Sequence, residues 1–129
     1  MKIISLGEIK NTKHEVHCPK GGFVSYRFLV EKDNMGFSLH KTCIPTGDVQ
    51  HWHYKNHLEA CYCVAGKGVL TDLATMTAYI IEPDVLYVLD KNDDHTFKAL
   101  DDVVLLCVFN PPVVGEEVHN EDGEYELKG

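Results

Sequence analysis

Eight short runs of alternating or continuous apolar character, packed closely along the chain, set the first constraint on its fold. They are Phe23–Val30, Phe37–Ile44, Glu59–Val64, Gly68–Asp72, Tyr79–Ile81, Val85–Leu89, Thr96–Leu100 and Val103–Phe109. A two-residue period puts one face of an extended segment inward and the other outward, so each run predicts a strand. Turn-forming clusters separate them: Lys32-Asp33-Asn34, Pro45-Thr46-Gly47-Asp48, Ala65-Gly66-Lys67-Gly68, Glu82-Pro83-Asp84, Asn92-Asp93-Asp94 and Asp101-Asp102. Many short strands at close spacing predict a β-sandwich or barrel, because a parallel α/β sheet needs helices between its strands. Only a short helix fits, near Leu6–Asn11. The 129 residues predict one domain, large enough to bury a core without disulfides or a structural metal.

Charge narrows the partners. Twenty Asp and Glu against 12 Lys and Arg give a net charge of -8, which predicts no nucleic-acid surface and no anionic membrane surface, since both need clustered cations. Met1–Ser5 opens no apolar stretch ending in a small-residue cleavage site, and Val103–Phe109 is far too short to cross a bilayer. Five cysteines, Cys18, Cys43, Cys61, Cys63 and Cys107, include no CxxC pair. They read as reduced thiols of a cytoplasmic protein, several acting as small core residues. The charge is also uneven. Residues 1–32 carry net +3, whereas residues 110–129 carry six acids against Lys128. That tail reads either as a solvated terminus or as a flap hinged near Pro111-Pro112 and Gly115.

Eight histidines and a single arginine, Arg27, stand out in an acidic chain. His51 and His53 flank Trp52; His57-Leu58-Glu59 follows, and six residues separate Glu59 from Gly66. Residues two apart on a strand share a face, so His51 pairs with His53 and His57 with Glu59. The stretch resembles the first cupin motif. Pro83 to Leu89, with His95 twelve residues beyond Pro83, is similar to the second. Imidazoles and a carboxylate inside a small barrel suit a divalent transition metal with positions open to substrate. Five residues separate His53 from Glu59, more than the motif usually has, and Gly47 lies closer than its leading glycine. Which histidines reach the metal therefore stays open on spacing alone.

Longer strings carry a more specific resemblance. They are His53-Tyr54-Lys55-Asn56-His57-Leu58-Glu59-Ala60-Cys61-Tyr62-Cys63, Leu86 to His95, Cys107-Val108-Phe109-Asn110-Pro111-Pro112, and Gly115 to Gly123, with Asn34 to Ser38 earlier in the chain. In order and separation they resemble the ectoine synthase family over nearly the whole length. The resemblance implies an all-β cupin, a double-stranded β-helix or jelly-roll barrel, as a single domain over 1–129. The segments 1–22 and 110–129 would then pack over or close the barrel. It implies a cytoplasmic, homodimeric lyase of compatible-solute synthesis that converts N4-acetyl-L-2,4-diaminobutyrate to cyclic ectoine with loss of water. Its cofactor would be Fe2+, with other divalent transition metals as alternatives.

By matching positions the resemblance implies Glu59, Tyr87 and His95 as metal ligands. Phe23, Arg27, Thr42, Cys107 and Phe109 would surround the substrate, with His40 a further polar contact. The lone guanidinium suits the substrate carboxylate through its bidentate fork. Phe23 stands where the family usually has Trp, keeping an aromatic wall without the indole N–H. Tyr54 and His57 are the expected acid and base, Asp93 an orienting partner for His95, and Glu117 and His119 contributions of a closing tail. Two rivals remain at this level: an iron dioxygenase built on His51, His53, Glu59 and His95, and a non-catalytic cupin that binds a small molecule.

Overall fold

The computed structural model describes residues 1–19, 21–120 and 123–125. A four-residue helix α1 (Leu6–Ile9) precedes ten strands: β1 (Glu15–His17), β2 (Val24–Leu29), β3 (Ser38–Ile44), β4 (Gln50–His53), β5 (Leu58–Ala65), β6 (Gly68–Asp72), β7 (Thr77–Ile81), β8 (Leu86–Leu89), β9 (Asp94–Ala99) and β10 (Val103–Asn110). A single 3₁₀ turn covers Glu31–Asp33. Six strands form one sheet in the order β1-β2-β3-β10-β5-β8, and four form the other in the order β4-β9-β6-β7. The strand pairs described are antiparallel. This is the all-β, two-sheet barrel that the alternation predicts.

The eight expected strands lie within two residues of their observed bounds. Two were not expected as elements. β1 is three residues long and, among the described strands, pairs only with β2. Among the described strands β4 pairs only with β9. Both are sheet edges, too short to show a full alternation.

The central strand β10 explains how the interior divides. Val103, Leu105, Cys107 and Phe109 all point inward. At its Val103 end they meet Ile44, Cys63, Leu70, Ile81, Phe97 and Ala99, an apolar core in which Phe97 is fully buried. Removing each large side chain of this kind from water contributes about 1.5–3 kcal/mol. Toward the Phe109 end the inward positions turn polar. One row of facing residues runs Arg27, His40, Cys107, Cys61, Tyr87 across five strands, and the next includes Phe109 and Glu59. The strand alternation therefore delivers the polar residues to one end of the barrel without interrupting the core at the other.

Gly66 makes the β5–β6 turn possible. It sits at φ +84°, and a Cβ there would fall 2.1 Å from the Asp102 carbonyl oxygen. The atoms it would meet are backbone at the start of β10, so relief requires a backbone shift. Gly66→Ala is expected to lower stability by about 2 kcal/mol or more in denaturant unfolding, from strain and steric overlap together. A loss below about 0.5 kcal/mol would show that the turn relaxes freely.

Candidate active site

The polar end of the barrel surrounds a small cavity of about 20 Å³. His40 and Thr42 reach it from β3, Cys107 and Phe109 from β10, Glu59 from β5 and Tyr87 from β8. Phe23, just before β2, Tyr54, just after β4, and His119 of the tail complete the expected residues on its wall. Arg27, His57 and His95 stand immediately behind that wall. Arg27 donates to Tyr125, His57 lies edge-on to Phe109 and Tyr125, and His95 packs against Trp52 and Tyr54.

The segment between β4 and β5 decides which histidines face inward. Trp52 and Tyr54 are buried, so strand alternation sends His51 and His53 to the outer face, where both lie near the Asp94 carboxylate. Residues 54–57 then form a loop held by Asn92. Its side-chain amide donates to the carbonyls of Tyr54 (2.9 Å), Lys55 (3.3 Å) and His57 (3.3 Å). The loop restores an inward phase for His57 and Glu59, both buried. The long spacing between His53 and Glu59 is this loop, and the His51–His53 pair does not enter the barrel.

His95 is held in one tautomer. Its Nδ1–H donates to the Asp93 carbonyl oxygen at 2.9 Å, which leaves the lone pair on Nε2, buried and without a hydrogen-bond partner. The orienting group is thus the Asp93 backbone; the Asp93 carboxylate instead accepts from the Lys91 N–H. Glu59 is buried, and desolvation pushes its carboxyl up to about 7, against the pull of hydrogen bonds from the Cys61 and Cys107 thiols. Burial holds the Tyr87 hydroxyl well above its ordinary value. A cation beside these groups would offset that penalty and keep Glu59 ionised. One imidazole nitrogen, one carboxylate and one phenol are a nitrogen–oxygen donor set that suits a divalent transition metal.

The remaining polar groups read as a site built for an anionic, hydrogen-bonding ligand. Arg27 is 1% exposed; Nε donates to Ser25 Oγ (3.3 Å), Nη2 donates to Tyr125 Oη (3.1 Å), and Nη1 has no partner. His40 stacks on Phe109 with ring centroids 5.0 Å apart and leaves Nε2 unpartnered, as His57 leaves Nδ1. Burial lowers the pKa of both imidazoles, so they are neutral. Tyr54 and His119 share a hydrogen bond of 2.6 Å. Burial, Arg27 and His95 bring the His119 pKa down to about 3.

The described tail residues pack on the barrel. The His53 N–H donates to the Gly123 carbonyl at 2.8 Å, and Gly123 (φ +76°) sits so close to β4 that a Cβ would fall 2.4 Å from the His51 oxygen. The Asn56 amide donates to the Tyr125 carbonyl. Glu117 is off the cavity wall: its carboxylate accepts from the N–H groups of Val114 (2.6 Å) and Gly115 (2.7 Å), fastening the tail's first turn. Residues 121–122 and 126–129, which the tail expectation also covered, lie outside the described residues.

Two aromatic wall residues escaped the sequence reading. Trp52 was hidden by the histidines on either side of it. Tyr125 stacks on His119 with centroids 4.4 Å apart, lies against Tyr54 and Phe109, and carries the Arg27 hydrogen bond. Its one signal was being the sole Phe, Trp or Tyr in residues 110–129.

With this geometry in place, comparison with known proteins is decisive. The family model described as ectoine synthase matches residues 1–129. The chain belongs to the ectoine synthase family. An L-ectoine synthase of Alkalilimnicola ehrlichii is 50% identical over 128 residues, covering 98% of this chain and 96% of that one. A crystal structure titled as the ectoine synthase of P. lautus superposes with a TM-score of 0.86 at 38% identity, covering 100% of this chain and 92% of that one. The cupin domain of Schizosaccharomyces pombe Cnp3, at 14% identity and a TM-score of 0.59 over 69% of this chain and 64% of that one, supports the fold alone. The chain thus has the cupin fold. Among its described residues no helix is long and apolar enough to cross a membrane.

His119 supplies a pH test. Unfolded, it takes up a proton near pH 6.5; folded, it stays neutral to about pH 3. Between these values the unfolded chain binds more protons, so folding weakens as pH falls, by about 1.4 kcal/mol per unit for this one group. The stability difference between the native protein and His119→Phe is therefore expected to shrink from pH ~6 to pH ~4, measured by denaturant titration. A pH-independent difference would contradict a neutral, buried His119.

Proposed function

We propose that this protein closes N4-acetyl-L-2,4-diaminobutyrate into ectoine, with Fe2+ held by Glu59, Tyr87 and His95. The observation that carries the reading is the set of unpartnered buried atoms at one end of the barrel: Arg27 Nη1, His40 Nε2, His57 Nδ1 and His95 Nε2. Leaving such groups unsatisfied costs about 1–3 kcal/mol each, so the fold keeps them for a ligand with an anion, hydrogen-bonding atoms and a metal contact. The family's substrate has a carboxylate, an amine and an amide.

In the reaction a bond forms between the α-amine nitrogen and the acetyl carbonyl carbon. The carbonyl oxygen leaves as water with two protons taken from nitrogen. A bound metal supplies Lewis-acid polarisation of the acetyl oxygen. The chain's own residues do the rest. Arg27 and Tyr125 hold the carboxylate: the Tyr125 oxygen accepts from Arg27 Nη2, which leaves its own proton to donate toward the cavity. Phe23, Phe109 and Trp52 press the flexible chain into a folded shape in which amine and carbonyl meet. His57, neutral and with Nδ1 free, takes the proton of the attacking amine. Tyr54, backed by His119, protonates the departing oxygen. His40 and Thr42 position the amide, and Cys107 lines the wall beside them.

The same reading includes a single domain closed by its tail, acting in the osmotic stress response of the cytoplasm as a homodimer. Five free cysteines favour a reducing compartment. The exposed Tyr79, Ile80, Leu86 and Val88 on edge strands β7 and β8 favour a covered edge.

Purified protein supplied with Fe2+ and acetyl-diaminobutyrate is expected to release the cyclic product, with activity lost on chelation and in Glu59→Ala. Tyr125→Phe should raise KM about tenfold, the worth of one hydrogen bond to a charged group, with kcat within about threefold. No product, or full turnover after metal removal, would overturn the reading.

A further inference from the structure

At the cavity wall, two thiols face one another. Cys61 on β5 and Cys107 on β10 are direct partners across the antiparallel ladder. Both are buried, and their Sγ atoms are 3.5 Å apart. Glu59 lies on the same inward face of β5, and one of its carboxylate oxygens and the two sulfurs all fall within 4.8 Å of one another. Two thiolates bound to one tetrahedral zinc at about 2.3 Å each stand about 3.8 Å apart. The thiol pair is therefore already close to the spacing of coordinated ligands, on strands that need no rearrangement.

We propose that Glu59, Cys61 and Cys107 form a second metal site, selective for thiophilic d¹⁰ cations such as zinc and cadmium. The selection follows from ligand softness: thiolates favour these cations, whereas carboxylate, phenolate and imidazole suit iron. Three protein ligands leave a fourth position, which opens on the cavity that Glu59 and Cys107 line. Binding is an exchange without oxidation: the cation enters, the two thiols release their protons to solvent, and the Glu59 carboxylate completes the set. Cys61 is required here and has no part in the reaction proposed above. Because Glu59 serves both sites, a thiophilic cation excludes the metal of the Glu59–Tyr87–His95 set. That competition rests on the proposed function; the thiol site itself does not.

Metal-free full-length protein titrated with Cd2+ provides the test, followed by thiolate-to-cadmium charge-transfer absorption and equilibrium dialysis. One cadmium per chain is expected to produce the band. Cys61→Ala and Cys61→Ser should each weaken cadmium binding at least about tenfold, with folding verified by thermal melts. Tyr87→Phe and His95→Gln should leave the band intact, because neither residue contributes a ligand. Absence of the band in the native protein, undiminished affinity in both Cys61 variants, or loss of the band in His95→Gln would each overturn the site. Failure of Fe2+ to support cyclisation, with the cadmium pattern intact, would instead overturn the proposed function alone.

Discussion

Placing a guanidinium inside a small barrel costs several kcal/mol of lost hydration unless partners replace the water. Arg27 finds only neutral ones: a serine hydroxyl on its own strand and a tyrosine hydroxyl from the far end of the chain, whose ring also lies 5.3 Å from the guanidinium carbon. No carboxylate shares a hydrogen bond or ion pair with it among the described residues. The rest of the polar end follows from that choice. A positive charge beside His40 and His119 adds to burial in keeping both imidazoles neutral. The tail must fold back far enough to deliver Tyr125, which is why Gly123 lies against β4.

The two ends of the barrel divide the labour of stability and chemistry. At the Val103 end of β10, apolar residues from both sheets interlock around Phe97. At the Phe109 end the same strands present donors and acceptors that the fold itself does not satisfy. A sheet makes this division easily, because each inward position is filled independently along the strand while backbone pairing continues unchanged.

Much of this was legible in the sequence. Strand positions follow from alternation, and the wall residues His40, Thr42, Glu59, Tyr87, Cys107 and Phe109 occupy inward positions of strands read correctly. What could not be read depends on contacts between distant residues. The phase of the histidines is set by burial of Trp52 and by Asn92, 35 to 38 residues away, which fixes the loop at 54–57. Glu117 looks like an acid near the chemistry, yet its hydrogen bonds go to the backbone two and three residues before it. Tyr125 joins the wall only because the tail bonds to the edge strand β4, itself too short to announce its pairing.

The proposed metal would lie inside the barrel, with a single histidine among its ligands. Crystals of the protein grown with Fe2+, measured at the iron absorption edge, test it directly. The account predicts one anomalous peak bounded by Glu59, Tyr87 and His95 Nε2. A peak on the outer face beside His51, His53 and Asp94 would contradict it.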